Sequence, residues 1–543
     1  MKLKRRDTSR RGSILVYVSM ALPLVILPLT GLAIDGSVAH IVQAKLQAAV
    51  DGASLGAGRL LGTDANLTEI AGEVLQANFP PGASGDFGAG GLTYTATYTP
   101  GVVKTITVSA SVTVPTIFAR LLGSANYIVP ATATATRKDT RVEIVIDRSG
   151  SMSAMMPTLI NYAEGFAQKF NGSGVVGGAD ELGLVVFDGS AVVGYPSVRP
   201  WDPTTTATST GGPDSSFKNG SATDIINQIS AITANSGTGM AEGIWLAYIE
   251  LQKAHMRDLA APGSGGVDQR LNSIVLFTDG VPSAVSIYLN NPSDNSMVQG
   301  ASCKCSNKSV TAPVPASKQI KGWVAVPGPP YSGSSLVGFY DLLASTDPKA
   351  SDTANWWMSH GGSDAARPNP LPNPDPQTNC TGLSGSNIYT AGKTDLSKIP
   401  SEDMYGNLMN TNGYTFSQII DQTGALSSIY NGTALNLADN TLNYHWGLAI
   451  WNSVDNAAKN VRIDSNFAKR TGDTQLMPVT IHVIAYTAND GVDEGLLNRV
   501  ANTSTSSSFN IAQPQGLYVP AGDSTALANA FNQVASSLLH LSK

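Results

Sequence analysis

The first pattern along the chain is an uncharged run over residues 13–34, SILVYVSMALPLVILPLTGLAI. A membrane-spanning helix needs about 20 consecutive apolar residues, and this run has that length. Pro23 and Pro28 lie inside it and would kink a helix, which is tolerated where neighbours satisfy the freed carbonyls. Residues 35–61 carry small side chains at helical spacing, DGSVAHIVQAKLQAAVDGASLGAGRLL, so a second helix can approach closely. Residues 65–78 read as one amphipathic helix that Pro80-Pro81 end, and 82–91 as a turn-rich link. The period then changes to two. Tyr94, Ala96 and Tyr98 alternate with Thr, as do Ile106, Val108, Ala110, Val112 and Val114 with Thr and Ser, and Ala131, Ala133 and Ala135 with Thr. These are three half-buried strands, either a pilin-like layout with the preceding helix or a plain stalk.

From Arg141 onward strands alternate with helices. Strands are predicted at 142–146, 182–187, 191–193, 273–277, 479–486 and 517–519, with a hairpin turn at Asp188-Gly189. Helices are predicted at 155–170, 240–252, 494–501 and 525–541. Such alternation predicts an α/β head, a doubly wound and mostly parallel sheet covered on both faces. The predicted organisation is therefore a tail (1–12), a transmembrane helix (13–34), a helical stalk (35–80) and a small antiparallel β segment (81–138). The head follows in two parts (139–282 and 439–543), separated by a large insertion (283–438).

Charge sets the topology. Residues 2–11 hold six basic side chains and one acid, Asp7, and basic flanks stay on the cytoplasmic side. The chain beyond residue 34 is thus expected outside the cytoplasm, tethered to the cell inner membrane. A cleaved signal peptide would use the small residues Gly31-Leu32-Ala33, but its apolar core is ordinarily only about 7–15 residues. Only 14% of residues are charged, and the net charge of -6 argues against a nucleic-acid binder.

The order of these features carries a resemblance. The basic tail, Gly12-Ser13, the Pro-containing run, LAIDGS and AKLQAAVDGASLGAG resemble the N-terminal region of TadG-like Flp/Tad pilus-assembly proteins. The resemblance spans about the first 60 residues and implies partners among pilus-assembly components. Ser13 to Tyr17 lack the acid that pilin-like relatives place shortly after their cleaved glycine.

The chemistry gathers at predicted strand ends, where open α/β sheets bind ligands. VIDRSGSMS supplies Asp147, Ser149 and Ser151; SGTGMAEG supplies Thr238 ahead of a helix; IVLFTDGVPS supplies Asp279. Hydroxyls and carboxylates are hard oxygen donors suited to Mg²⁺ or Mn²⁺. This DxSxS…T…D set resembles the metal-ion-dependent adhesion site of von Willebrand factor A (vWA) domains. The resemblance implies an ion whose open position takes an Asp or Glu carboxylate of a protein partner.

No catalytic set accompanies it, so no enzyme is expected. His40, His255, His360, His445, His482 and His540 form no HExxH, and no P-loop or GxSxG occurs. His482 sits in an apolar strand and reads as a core residue. Cys303, Cys305 and Cys380 are too few for a closed zinc site, although Cys380 could bridge to one of the close pair. All three lie in the insertion, which is rich in Pro, Gly, Ser and Asn, includes Trp356-Trp357, and leaves the sheet at the candidate metal face. It either shapes partner recognition or is a tolerated surface elaboration. The expectation is a metal-dependent pilus-assembly or adhesion protein. Its competitors are an envelope scaffold with a stabilising ion and a chelatase-like subunit, which the exported topology disfavours.

Overall fold

The computed structural model describes residues 17–20, 27–58, 61, 66–80, 87–170, 180–189, 191–196, 212–220, 224–234, 237–261, 266–289, 302–305, 308–311, 320–325, 337–341, 402–403, 405–409, 442–470, 472–488 and 492–539. It divides into two compact units between Lys138 and Asp139.

In the first unit, α1 (Leu27–Gly58) is followed by α2 (Leu67–Asn78) and by strands β1 (Gly90–Thr99), β2 (Val103–Pro115) and β3 (Asn126–Lys138). The strands form one antiparallel sheet in the order β1-β2-β3. The period-two reading holds: Ile106, Val108, Val112 and Val114 of β2 are buried on one face. Val42, Leu46, Val50 and Ala53 of α1 cover that face together with Leu75 of α2. Helices and strands therefore share one core, because neither apolar face could be left to water. The small residues of α1 receive α2: a Cβ on Gly56 would stand 3.1 Å from Val74. Asn66 caps α2 by accepting from the Glu69 amide at 3.3 Å, and the Asn66 side chain meets the Glu69 carboxylate in return.

The expected boundary between residues 34 and 35 is not a break, since α1 runs through it. Among the described residues no helix is long and apolar enough to cross a membrane. Residues 13–16 and 21–26 of the apolar run lie outside the described residues.

The second unit opens with β4 (Thr140–Asp147), α3 (Met156–Gln168), β5 (Glu181–Phe187), β6 (Ala191–Tyr195), α4 (Ile225–Ser230), α5 (Met240–Ala260) and β7 (Leu271–Thr278). Short strands β8 (Ala284–Leu289), β9 (Ser302–Cys305), β10 (Lys308–Thr311), β11 (Ile320–Ala325) and β12 (Val337–Asp341) come next. The chain closes with α6 (Leu442–Arg462), β13 (Val479–Tyr486), α7 (Glu494–Ala501), β14 (Tyr518–Ala521) and α8 (Ser524–Leu538). The main sheet has the order β14-β13-β7-β4-β5-β6, parallel except for the β5–β6 hairpin. Helices α5, α6 and α7 cover one face, and α3, α4 and α8 the other. This is the doubly wound sheet expected. Within β4, Val145 points to the first layer and Val142, Ile144 and Ile146 to the second. His482 is a core residue, buried in β13, where its Nδ1 accepts from the Leu517 amide at 3.2 Å.

The insertion begins as a small sheet of order β12-β11-β8. The expected boundary at 438 needs correction, because residues 402–409 belong to the head. Met409 lies in the core, and Asn452, Ser453 and Asn456 of α6 bond to Met409 O, Asp403 and Leu408 O at 2.7–2.8 Å. Cys380 and Trp356-Trp357 fall outside the described residues.

One cation ties the N-terminal ends of the central strands together. Arg141 of β4 is fully buried and reaches Glu181 of β5, Asp258 of α5 and Asp268, each at 2.7 Å. Its Nη1 also donates to Asn272 of β7 at 2.9 Å. Removing one partner of a buried ion pair leaves the others uncompensated, at a cost of about 3–5 kcal/mol. Arg141→Met should lower the unfolding free energy in urea by that order, and Arg141→Lys, which keeps charge but not the fork, should lose less.

Candidate metal centre

Strands β4 and β7 are neighbours, and both end at the same edge of the sheet. β4 stops on Asp147, and the Ser149 amide turns back to donate to Asp147 Oδ1 at 2.8 Å. This Asx-type turn closes the DRSGS loop and sets Ser149 Oγ 3.1 Å from Ser151 Oγ. Ser151 Oγ donates to Asp279 Oδ1 at 3.0 Å, which joins the loop after β4 to the residue after β7.

Thr238 arrives from the segment ahead of α5. Gly237 has φ +87°, and a Cβ on it would stand 2.7 Å from Gly189 Cα; one on Gly239 would stand 2.8 Å from Gly189 O. Glycine on either side thus lets the Thr238 segment lie against the β5–β6 turn. The Thr238 carbonyl accepts from the amides of Ser283 and Ala284 at 3.0 and 3.2 Å. A Cβ on Gly280 would lie 3.8 Å from Thr238 Oγ1 and 3.9 Å from Asp147 Oδ2, so these two flank Gly280. All five candidate residues therefore converge at one place. Asp147, Ser149, Thr238 and Asp279 are buried, and Ser151 is exposed, which leaves one side open.

Several supporting groups belong to no motif in the sequence. Thr278, the last residue of β7, donates to Asp147 Oδ2 at 2.6 Å and accepts from the Gly280 amide at 3.1 Å. Arg148 pairs with Asp188 of the β5–β6 turn at 2.6 Å. Glu242, in the first turn of α5, accepts from the Ala191 amide, Ser286 Oγ and Tyr405 Oη at 3.0, 2.6 and 2.8 Å. Both ends of the insertion are thereby pinned to the helix that follows Thr238. Their local signals were slight: Thr278 is a hydroxyl beside an aspartate, and Glu242 is one of three acids in α5.

The five side chains are oxygen donors only. Among the described residues no group of three or more His, Cys, Asp or Glu is placed to hold a metal. Burial, and then the charge of Asp279, push the Asp147 carboxyl up to about 7, against the bonds from Thr278 and Ser149. A divalent cation would relieve both effects, so the donor set fits such an ion.

Residues 12–60 match the family of putative Flp pilus-assembly TadE/G-like proteins. The N-terminal segment is TadE/G-like. No curated protein matches the chain. Among solved structures, the PilB minor pilin from Streptococcus sanguinis is 12% identical, over 83% of this chain and 79% of that one, with a TM-score of 0.31. The pilus adhesin SpaC from Lactobacillus rhamnosus GG, in an open conformation, is 12% identical over 82% of this chain and 33% of its own, at 0.31. The vWF domain of the type V pili tip protein Mfa5 from Porphyromonas gingivalis is 16% identical over 74% and 95%, at 0.29. These likenesses are loose, and the fold of the head behind the TadE/G-like segment rests on its strand order and pairing.

The carboxyl pair gives a pH dependence with a defined sign. Asp147 is raised from 3.8, so without a divalent ion the folded head holds a proton that the unfolded chain has released. The contribution of this carboxyl to stability is then full below about 4 and is lost as pH rises through about 7. Melting curves recorded from pH 4 to 8 in chelator should show this decline, and saturating Mg²⁺ should flatten it. A decline that is the same with and without Mg²⁺ would remove the ion from the account.

Proposed function

We propose that the chain is a membrane-anchored pilus-assembly or adhesion protein whose head binds a protein partner through a divalent ion. The observation that carries this reading is the convergence of Asp147, Ser149, Ser151, Thr238 and Asp279 at the open edge of the sheet. Mg²⁺ or Mn²⁺ held there would supply an electrophilic open position for an Asp or Glu carboxylate of the partner. The protein's own groups do the rest. Thr278 and the Ser149 amide orient Asp147, and Ser151 orients Asp279. The glycines around Thr238 let its segment lie against the β5–β6 turn, with its hydroxyl and the Asp147 carboxylate both near Gly280.

The TadE/G-like segment supports a place in the cell envelope, with partners among pilus-assembly components. The charge step across residues 13–34 supports an inner-membrane anchor with the head exported. The insertion enters and returns beside the candidate centre through Ser286 and Tyr405, which supports a part in shaping partner recognition. This reading involves no catalysis.

The test pairs stability with attachment in the same variants. Mg²⁺ or Mn²⁺ should raise the melting temperature by mass action, and Asp147→Ala or Asp279→Ala should abolish that rise without unfolding the head. Thr238→Ala removes a neutral donor and should weaken pilus assembly or surface attachment severalfold at unchanged folding. If the Thr238, Ser149 and Ser151 alanine variants fold and attach normally, a scaffold with no metal-dependent recognition replaces this reading. Deleting residues 290–401, which spares the core segment 402–409, should change partner choice and leave the ion-induced rise intact.

A further inference from the structure

At one end of the N-terminal unit the chain turns from β2 into β3 through residues 116–125. Ile117, Leu122 and Ile128 are 67%, 64% and 74% exposed there. Residues 115–128, PTIFARLLGSANYI, contain a single charge, Arg120, and no acid. Loops on an aqueous surface are ordinarily polar, and a cluster of exposed aliphatic side chains marks a contact with something apolar.

Helix α1 fixes the level of this loop. Asp35 is buried, and its carboxylate accepts from the amides of Ile117, Phe118 and Ala119 at 3.0, 2.9 and 2.7 Å. One turn earlier, a Cβ on Gly31 would overlap the Phe118 ring. Farther along, Gln47 donates to the Thr132 carbonyl at 3.0 Å. Six strand residues separate Thr132 from Asn126, about 20 Å. That distance equals about 13 helical residues, which counted back from Gln47 reaches Ile34. The loop therefore stands level with residues 31–35, where the uncharged run 13–34 ends. Leu29 and Ile34 of the helix are themselves 61% and 44% exposed.

We propose that the β2–β3 loop is a lipid-contacting lip, with Ile117, Leu122 and Ile128 entering the outer face of the bilayer that residues 13–34 cross. The proposal rests on the anchoring part of the reading above. Lipid is the occupant because the lip is continuous with the apolar run that enters the membrane. Arg120 and Tyr127 add the amphipathic side chains that lie at headgroup depth. The Asp35 carboxylate, by holding three successive amides, keeps the loop from swinging away from the helix. A second point of contact beside a spanning helix sets the tilt and rotation of the unit on the membrane.

Photocrosslinking on the full-length chain tests this. Benzoylphenylalanine replaces Ile117, Leu122 or Ile128 in protein reconstituted into vesicles of phosphatidylethanolamine and phosphatidylglycerol. Leu29 serves as the anchor position. Thr99, exposed and facing the far end of the sheet about 26 Å away, serves as background. After irradiation, mass spectrometry should find lipid adducts at Leu29 and at all three lip positions, severalfold above Thr99. Adducts at Leu29 with the lip at background overturn the lip and leave the anchor. Background at Leu29 and the lip alike overturns the anchor, and the lip with it. Lip adducts to a second copy of the chain, in place of lipid, also overturn the proposal and make the loop a self-association surface.

Discussion

Two buried carboxylates, Asp147 at the end of β4 and Asp279 just after β7, lie at the same edge of neighbouring parallel strands, and the hydrogen bonds around them keep them there. Burial disfavours the charged form and the neighbouring Asp279 charge adds to this, which is why the Asp147 carboxyl is pushed up to about 7. Thr278, the Ser149 amide and Ser151 offset part of that cost with directed hydrogen bonds. The parallel sheet is what makes the arrangement rigid. Each acid is the continuation of a strand buried on both faces, so neither can move without disturbing the core. At the opposite end of the same strands, Arg141 of β4 clamps β5 and α5 through ion pairs and β7 through its hydrogen bond to Asn272. The register that the carboxyl pair needs is thus held from both ends.

The insertion fits the same constraint. It departs at Ser283, whose amide already bonds to the Thr238 carbonyl, and it returns through residues 402–409, which pack into the head. Glu242 gathers Ala191, Ser286 and Tyr405 around one buried carboxylate. Glu242 thereby links both ends of the insertion to α5, the helix that follows Thr238. In the first unit Asp35 has a comparable part, one acid ordering three amides of a loop.

Much of this was legible in the residues, and the limits have physical causes. The alternation in β2 and the apolar runs of β4, β7 and β13 each follow from which strand faces are buried. That the five candidate residues lie close together was legible because they stand at the ends of predicted strands or just ahead of a predicted helix. Helix α6 was not. No helix was predicted over it, and its polar Asn452, Ser453 and Asn456 are buried and bonded to a segment some fifty residues earlier. The partnership of Thr278 with Asp147 crosses two strands, and that of Asp35 with residues 117–119 crosses more than eighty positions. Such contacts depend on tertiary closeness, which local pattern does not encode. The stalk and β segment read as successive pieces because periodicity reveals that a face is apolar but not what covers it.

The most direct measurement is anomalous diffraction at the manganese edge from crystals of the protein grown with Mn²⁺. The account predicts one strong anomalous peak among the oxygens of Ser149, Ser151, Thr238, Asp147 and Asp279, with a coordination position open toward solvent or filled by a neighbour's carboxylate. No peak at that edge of the sheet at saturating Mn²⁺, or the strong peak elsewhere in the head, would contradict it.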